Sequence, residues 1–289
     1  MRGLVGAIIG AALMVPLPST AKNDPVSLAK TTKWEINYDE DSCHLLAGFG
    51  QADSLVLLNI TRFEPDGDFN MMLFGTMFDT KRAWLPVMIR IGDGPAFERQ
   101  AGSGTTGSKR PFLILMSLRL DKPVIQGSDW RRAPANEKIE AQTASLTISM
   151  PGVQSYRLET GSLAAPMQAM RACTDSLVAS WGYDPVSDAK LSKRASPVGN
   201  PGSWVTTKDY PTVALRAAQN GLVQFRLDID ETGKVAGCRV LSHFKPDTFA
   251  DMTCGLLIKR AKFKPAIDAI GKPVKSYFVN QIRFLIPED

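Results

Sequence analysis

Between Trp34 and roughly Leu158 the apolar positions come in short runs, continuous or alternating with polar ones. Ser42–Phe49, Ser54–Phe63, Phe69–Phe78, Trp84–Ile91, Phe112–Leu120 and Ala144–Met150 are such runs. Turn-forming clusters such as Glu64-Pro65-Asp66-Gly67-Asp68 and Gly92-Asp93-Gly94-Pro95 separate them. Apolar or period-two runs bounded by Gly, Pro and Asp, spaced by about a dozen residues, predict an antiparallel sheet, a sandwich or an open barrel. The period then changes. From Pro166 to Trp181, Met167, Met170, Cys173, Thr174 and Leu177 fall on one helical stripe, with Pro166 in the first turn and Gly182 at the exit. That spacing predicts a helix buried on one face.

Residues 185–207 mix Pro, Gly, Ser and Lys without a period and read as a linker, about 25 Å long as a flexible coil. Beyond it the pattern is helix, hairpin, helix, strand. Tyr210-Pro211 opens a short helix through Ala214, Ala217 and Ala218 to Asn220-Gly221. Val223, Phe225, Leu227 and Ile229 alternate over a strand Leu222–Asp230, and Asp230-Glu231-Thr232-Gly233 turns it into a partner strand Lys234–Ser242. Pro246-Asp247 starts a second helix, Asp247 being a suitable N-cap. Phe249, Met252, Leu256 and Ile258 are available to its core. Gly271-Lys272-Pro273 turns the chain into a long last strand, Val274–Ile286.

The front of the chain changes the picture by giving it an address. Met1-Arg2, the apolar run Leu4–Val15, the break at Pro16 and Pro18 and the small residues Ser19-Thr20-Ala21 have the form of a cleaved export signal. The run is shorter than the ~20 residues a bilayer crossing needs. The expectation is a periplasmic protein of residues 22–289 beginning at Lys22, with no stable membrane span. The alternative is an inner-membrane anchor over residues 4–18. Four cysteines with no metal-ligand spacing, Cys43, Cys173, Cys238 and Cys254, suit disulfides in an oxidising compartment. Charge is uneven. Residues 22–207 hold 20 basic and 20 acidic side chains, and residues 208–289 hold 13 basic and 9 acidic, with Lys259, Arg260, Lys262 and Lys264 crowded together. Nucleic-acid binding calls for a stronger bias with interleaved aromatics. A basic face toward an acidic envelope partner, or a solvated helix end, fits better.

The C-terminal pattern resembles the TonB C-terminal domain family. The resemblance rests on Tyr210-Pro211 with Ala214, Gly221-x-Val223, Gly233-x-Val235, Val240-x-Ser242, Arg260-Ala261-x-Phe263-x-Pro265-Ala266, Gly271-x-Pro273-Val274 and Ile282-x-Phe284. Phe249-Ala250 and Ser242-His243-Phe244 depart from the family's usual residues, which bears on partner specificity more than on fold. The resemblance implies a small αββαβ binding domain over 208–289. In that family the domain sits in the periplasm and takes an extended segment of an outer-membrane transporter by adding a strand to its sheet edge. The last strand then supplies the candidate partner-binding residues Val274, Tyr277, Val279, Ile282 and Phe284, with Lys262 and Lys264 beside them. An energy transducer for transport would further need an inner-membrane anchor and a Pro-rich spacer, which this sequence does not display. Cys238 and Cys254 both fall inside this unit, where a short bridge would add roughly 3 kcal/mol, leaving Cys43 to pair with Cys173 in the first domain. The expected fold class is α+β: a β-rich domain over 22–184 closed by a helix, the linker, and the TonB-like domain.

Catalytic motifs fall short. Gly102-Ser103-Gly104-Thr105-Thr106-Gly107-Ser108-Lys109 contains G-x-G-x-x-G, but a strand-like run follows where phosphate binding needs a helix, so a mobile hairpin loop is expected. His44 lies in a strand, His243 is expected in a turn, and neither has a second ligand at metal spacing. No cofactor, metal or enzyme activity is expected. An enzyme or small-ligand site in the β-rich domain and a transducer component remain the alternatives to a protein-interaction protein.

Overall fold

The computed structural model describes residues 24–66, 68–121, 136–244 and 247–286. The expected export signal and its cleavage site lie outside them. Ten strands form one sheet: β1 (Val26–Ala29), β2 (Glu35–Tyr38), β3 (Cys43–Phe49), β4 (Val56–Arg62), β5 (Phe69–Phe74), β6 (Trp84–Ile91), β7 (Phe97–Thr105), β8 (Pro111–Leu118), β9 (Leu146–Ser149) and β10 (Tyr156–Glu159). Their order is β1-β10-β9-β6-β7-β8-β5-β4-β3-β2. Neighbours are antiparallel except β1 and β10, which run parallel. The sheet curls until its ends meet. Thr31 N–H donates to Gly48 O (2.8 Å) and Gly50 N–H to Ala29 O (2.9 Å), which tie the end of β1 to the end of β3. Alternation explains the curl's lining. Cys43, Leu45, Ala47 and Phe49 of β3, and Val56, Leu58 and Ile60 of β4, all point to one buried core, as a period of two requires.

Helix α1 (Glu137–Gln142) and helix α2 (Ala164–Ser180) close this barrel. Met167, Met170, Cys173, Thr174 and Leu177, the expected stripe, are buried, and all but Thr174 belong to the barrel's own core cluster. The disulfide Cys43–Cys173 pins α2 to β3 across 130 residues, and Cys238–Cys254 closes a 16-residue loop in the C-terminal unit. Both pairings are those expected. Cys43 and Cys173 are buried, whereas Cys238 and Cys254 are half-buried. Thiolate attack requires access. A graded reductant with alkylation mapping should therefore open Cys238–Cys254 first, and Cys43–Cys173 only on unfolding. The reverse order would mean that α2 lifts from the barrel before the smaller unit loosens.

The C-terminal unit has the expected order of helix, hairpin, helix and strand, with short elements added before it and between its second helix and last strand. Helix α3 (Pro185–Ala189) and the two-residue strand β11 (Ser196–Pro197) precede helix α4 (Thr212–Arg216). Then come β12 (Gly221–Ile229), β13 (Val235–Phe244), helix α5 (Asp247–Arg260), the short strands β14 (Phe263–Lys264), β15 (Ala266–Ile267) and β16 (Pro273–Val274), and β17 (Ser276–Phe284). The sheet order is β13-β12-β17, all antiparallel, with α5 on one face. Gly221 does not stop a helix but begins β12, and it must be glycine there: a Cβ would sit 2.3 Å from the Phe249 ring. Gly233 turns the hairpin at φ +84°, and a Cβ on it would meet the Phe263 carbonyl oxygen at 2.0 Å. Those two contacts give the motif glycines a physical reason.

Residues 185–207 are not a free coil. β11 pairs with β14, Lys193 exchanges backbone bonds with Ile267 (3.1 and 2.7 Å), and Trp204 is buried against Phe263 and Phe278. The sequence shows no period here because the contacts are made one residue at a time.

Nor do the two units stand apart. Met72, Phe112, Ile114 and Met116 point outward from the barrel and meet Leu222 and Phe244 of the C-terminal sheet. Phe112 stacks on Phe244 at 6.2 Å. Arg239 bonds Glu40 (2.6 Å) and Asp41 (2.9 Å) in the β2–β3 turn. Tyr183 donates its hydroxyl toward Asp228 (3.1 Å) and Ser276 O (3.0 Å), and the Arg226 guanidinium lies 4.5 Å over the Trp181 ring. Burial, with Asp228 adding to it, pushes the Tyr183 hydroxyl well above the usual tyrosine range, so it remains a donor at neutral pH.

Candidate partner-binding edge

β17 pairs with β12 along all nine residues, from Gly221 opposite Phe284 to Ile229 opposite Ser276. Its other side has no neighbouring strand among the described residues. Backbone parity says which groups lie on that open side. Ile286 N–H reaches back to Asn220 Oδ1 at the start of β12 (2.8 Å), while Gln281 N–H is taken by the adjacent Asn280 Oδ1 (2.8 Å). Amides alternate along an antiparallel strand. The even-numbered amides of β17 thus face β12, and those of Tyr277, Val279, Gln281 and Arg283 face outward.

The side chains of the strand are committed to packing on two faces. Tyr277 is 3% exposed, sits edge-on to Trp181 (5.2 Å) and donates to Asp188 (3.0 Å). Gln281 donates to Ser117 of the barrel (3.1 Å). On the opposite face Ile282 is half-buried in the helix-side core, and Phe284 is 4% exposed and stacked on Phe249 at 4.2 Å. Tyr210 completes that stack edge-on (5.2 Å to Phe249) and donates to Gln219 O (2.6 Å), which accounts for the Tyr-Pro start of the motif. Val279 is half-buried and shares the barrel-facing side. What β17 offers is therefore its backbone, with little from Tyr277 or Phe284.

Val274 stands apart from this strand. It belongs to β16 and pairs with Ala266, so the last strand begins at Ser276 and not at Val274. The tight turn Asp268–Gly271 and the hairpin it closes interpose a separate two-residue ladder. Lys262 and Lys264 are exposed, but Lys264 lies in β14 opposite Ser196. Arg260 leaves the basic cluster to bond Asp209 (2.6 and 2.8 Å), whose carboxyl it holds far below the usual range. The free cluster is thus smaller than the sequence suggests.

The glycine-rich run corrects another expectation. Gly102, Ser103 and Gly104 lie within β7, and only Thr106–Lys109 form the turn. A Cβ on Gly102 would press on Ile114 at 3.0 Å and on the Trp84 ring at 3.3 Å, so the glycine makes room for an aromatic ring and not for phosphate. His243 lies in β13, not a turn, and bonds Asp247 (3.0 Å). His44 bridges Ser42 (2.9 Å) and Thr61 (3.1 Å) in its strand. Among the described residues no group of three or more His, Cys, Asp or Glu could hold a metal ion. Sequence gave no sign of the buried charges beneath α2. There Glu140 receives Arg171 at 2.5 Å, and burial lowers the pKa of Arg62.

No helix among the described residues is long and apolar enough to cross a membrane. No curated protein matches the chain at significant similarity. A family model described as Gram-negative bacterial TonB protein C-terminal matches residues 206–286. The unit from α4 to β17 thus matches the TonB C-terminal family along its whole length, and the barrel lies outside the match.

Proposed function

We propose that the chain is an exported, periplasmic protein-interaction protein that takes an extended segment of an envelope partner by strand addition to β17. The partner is possible to narrow by class: a protein with an exposed extended segment, an outer-membrane transporter among them. The carrying observation is the open side of β17, a nine-residue strand free of proline whose outward amides face no other strand among the described residues. Main-chain pairing at such an edge supplies affinity with little dependence on side chains, which suits a strand whose own side chains are engaged elsewhere. Two disulfides, one in each unit, fit an oxidising compartment.

Export and binding are checked together. Osmotic shock should release a chain beginning at Lys22, and a photo-crosslinking residue at Asn280 should capture one envelope polypeptide through a contiguous extended segment. An intact Met1 on protein freed only by detergent would overturn the export reading. Crosslinks scattered over unrelated peptides would overturn the edge.

A further inference from the structure

Helix α5 buries Phe249, Thr253 and Leu257 against its sheet, yet its other side is not polar. Met252 and Leu256 are half-buried there. Across from them stands Pro211 at the head of α4. Between the helices runs an open groove of about 500 Å³ whose lining includes Pro211, Met252, Gly255, Leu256 and Lys259.

Gly255 is the informative residue. A glycine in a helix interior weakens the helix relative to alanine, and a Cβ built on Gly255 meets nothing within 4 Å. The protein's own packing does not require it, whereas a body lying in the groove would. Two charged side chains line the groove, Asp209 and Lys259. The Asp209 carboxylate is paired with the Arg260 guanidinium and also accepts a hydrogen bond from the Thr206 hydroxyl. Lys259 stands at the C-terminal end of α5, followed by exposed Lys262 and Lys264.

We propose that this groove docks a short apolar segment of a partner protein that carries a carboxylate at the end facing Lys259. The contact is a helix-in-groove type and is independent of strand addition, since it uses neither the edge nor the residues of β17.

The test uses the full chain with methyl-labelled methionine, so that Met252 reports from the groove. The probe is a synthetic peptide of leucines at helical spacing with glutamates between them, and its lysine counterpart is the control. The leucine–glutamate peptide should shift Met252 and the control should not. K259E should weaken binding by roughly five- to tenfold, the scale of an exposed ion pair reversed. G255L fills the groove with a better helix former and should keep the fold while removing the Met252 shift. V279P should leave it unchanged, which separates this groove from the β17 edge. Equal binding of both peptides, or binding that survives G255L, would overturn the proposal. So would anionic phospholipid vesicles shifting Met252 where the peptide does not.

Discussion

Trp204→Ala should cost about 3 to 5 kcal/mol of stability, the usual penalty for emptying a large buried aromatic site. Trp204 is 4% exposed, its ring lies 5.4 Å from Phe263 and 6.1 Å from Phe278, and its carbonyl accepts a bond from Arg260 (3.0 Å). These rings, with Leu227 and Leu257, form the core between α5 and the three-stranded sheet. Total stabilities run only to about 5–15 kcal/mol, so such a loss is a large fraction of the whole. Urea unfolding followed by circular dichroism would measure the loss. A companion comparison is a fragment 208–289 against a fragment 185–289. The shorter one lacks Trp204, Ala195 and the β11–β14 pair, and should unfold at distinctly lower urea. A change below about 1 kcal/mol, the level of an ordinary surface substitution, would mean that residues 185–207 are only loosely held.

Why this stretch read as a linker, while most of the fold did not mislead, comes down to how contacts are distributed. Val223, Phe225, Leu227 and Ile229 repeat every second residue because one whole face of β12 is buried, and Met167 to Leu177 repeat helically for the same reason. Periodicity reports a continuous buried face. Ala195 and Trp204 are buried singly, by segments distant in sequence, and leave no period. The docking of the units was hidden differently. Leu222, Gln224 and Arg226 alternate with the apolar set and look like a solvent face, yet they are covered by the barrel. Cysteine placement was legible because each pair falls within one unit. Of the candidate site, the strand itself was legible and its start was not, since Pro273-Val274 continues the apolar run although it pairs with Ala266-Ile267. The groove between α4 and α5 could have been suspected from Gly255 alone, a glycine inside an otherwise helical stretch.

Two proline substitutions one residue apart should give opposite outcomes on β17. A proline removes one backbone donor and tolerates only edge positions of a sheet. By the parity set by Gln281 and Ile286, the Val279 amide points outward and the Asn280 amide points to Phe225 on β12. Val279→Pro therefore deletes a donor that the folded domain does not use, and the φ restriction is compatible with an extended chain. It should leave the fold largely intact and abolish partner binding, with Val279→Ala as the control for lost side-chain packing. Asn280→Pro deletes a ladder bond in mid-strand and brings its ring against β12. It should unfold the C-terminal unit, seen as loss of protection across β12 and β17 in hydrogen exchange. Charge reversal at Lys262 and Lys264 should matter less than either, slowing association at low salt and fading near physiological salt as screening shortens to about 8 Å. If binding survives Val279→Pro in a folded protein and collapses on reversing the two lysines, the β17 edge is not the contact. The domain would then hold its partner by charge.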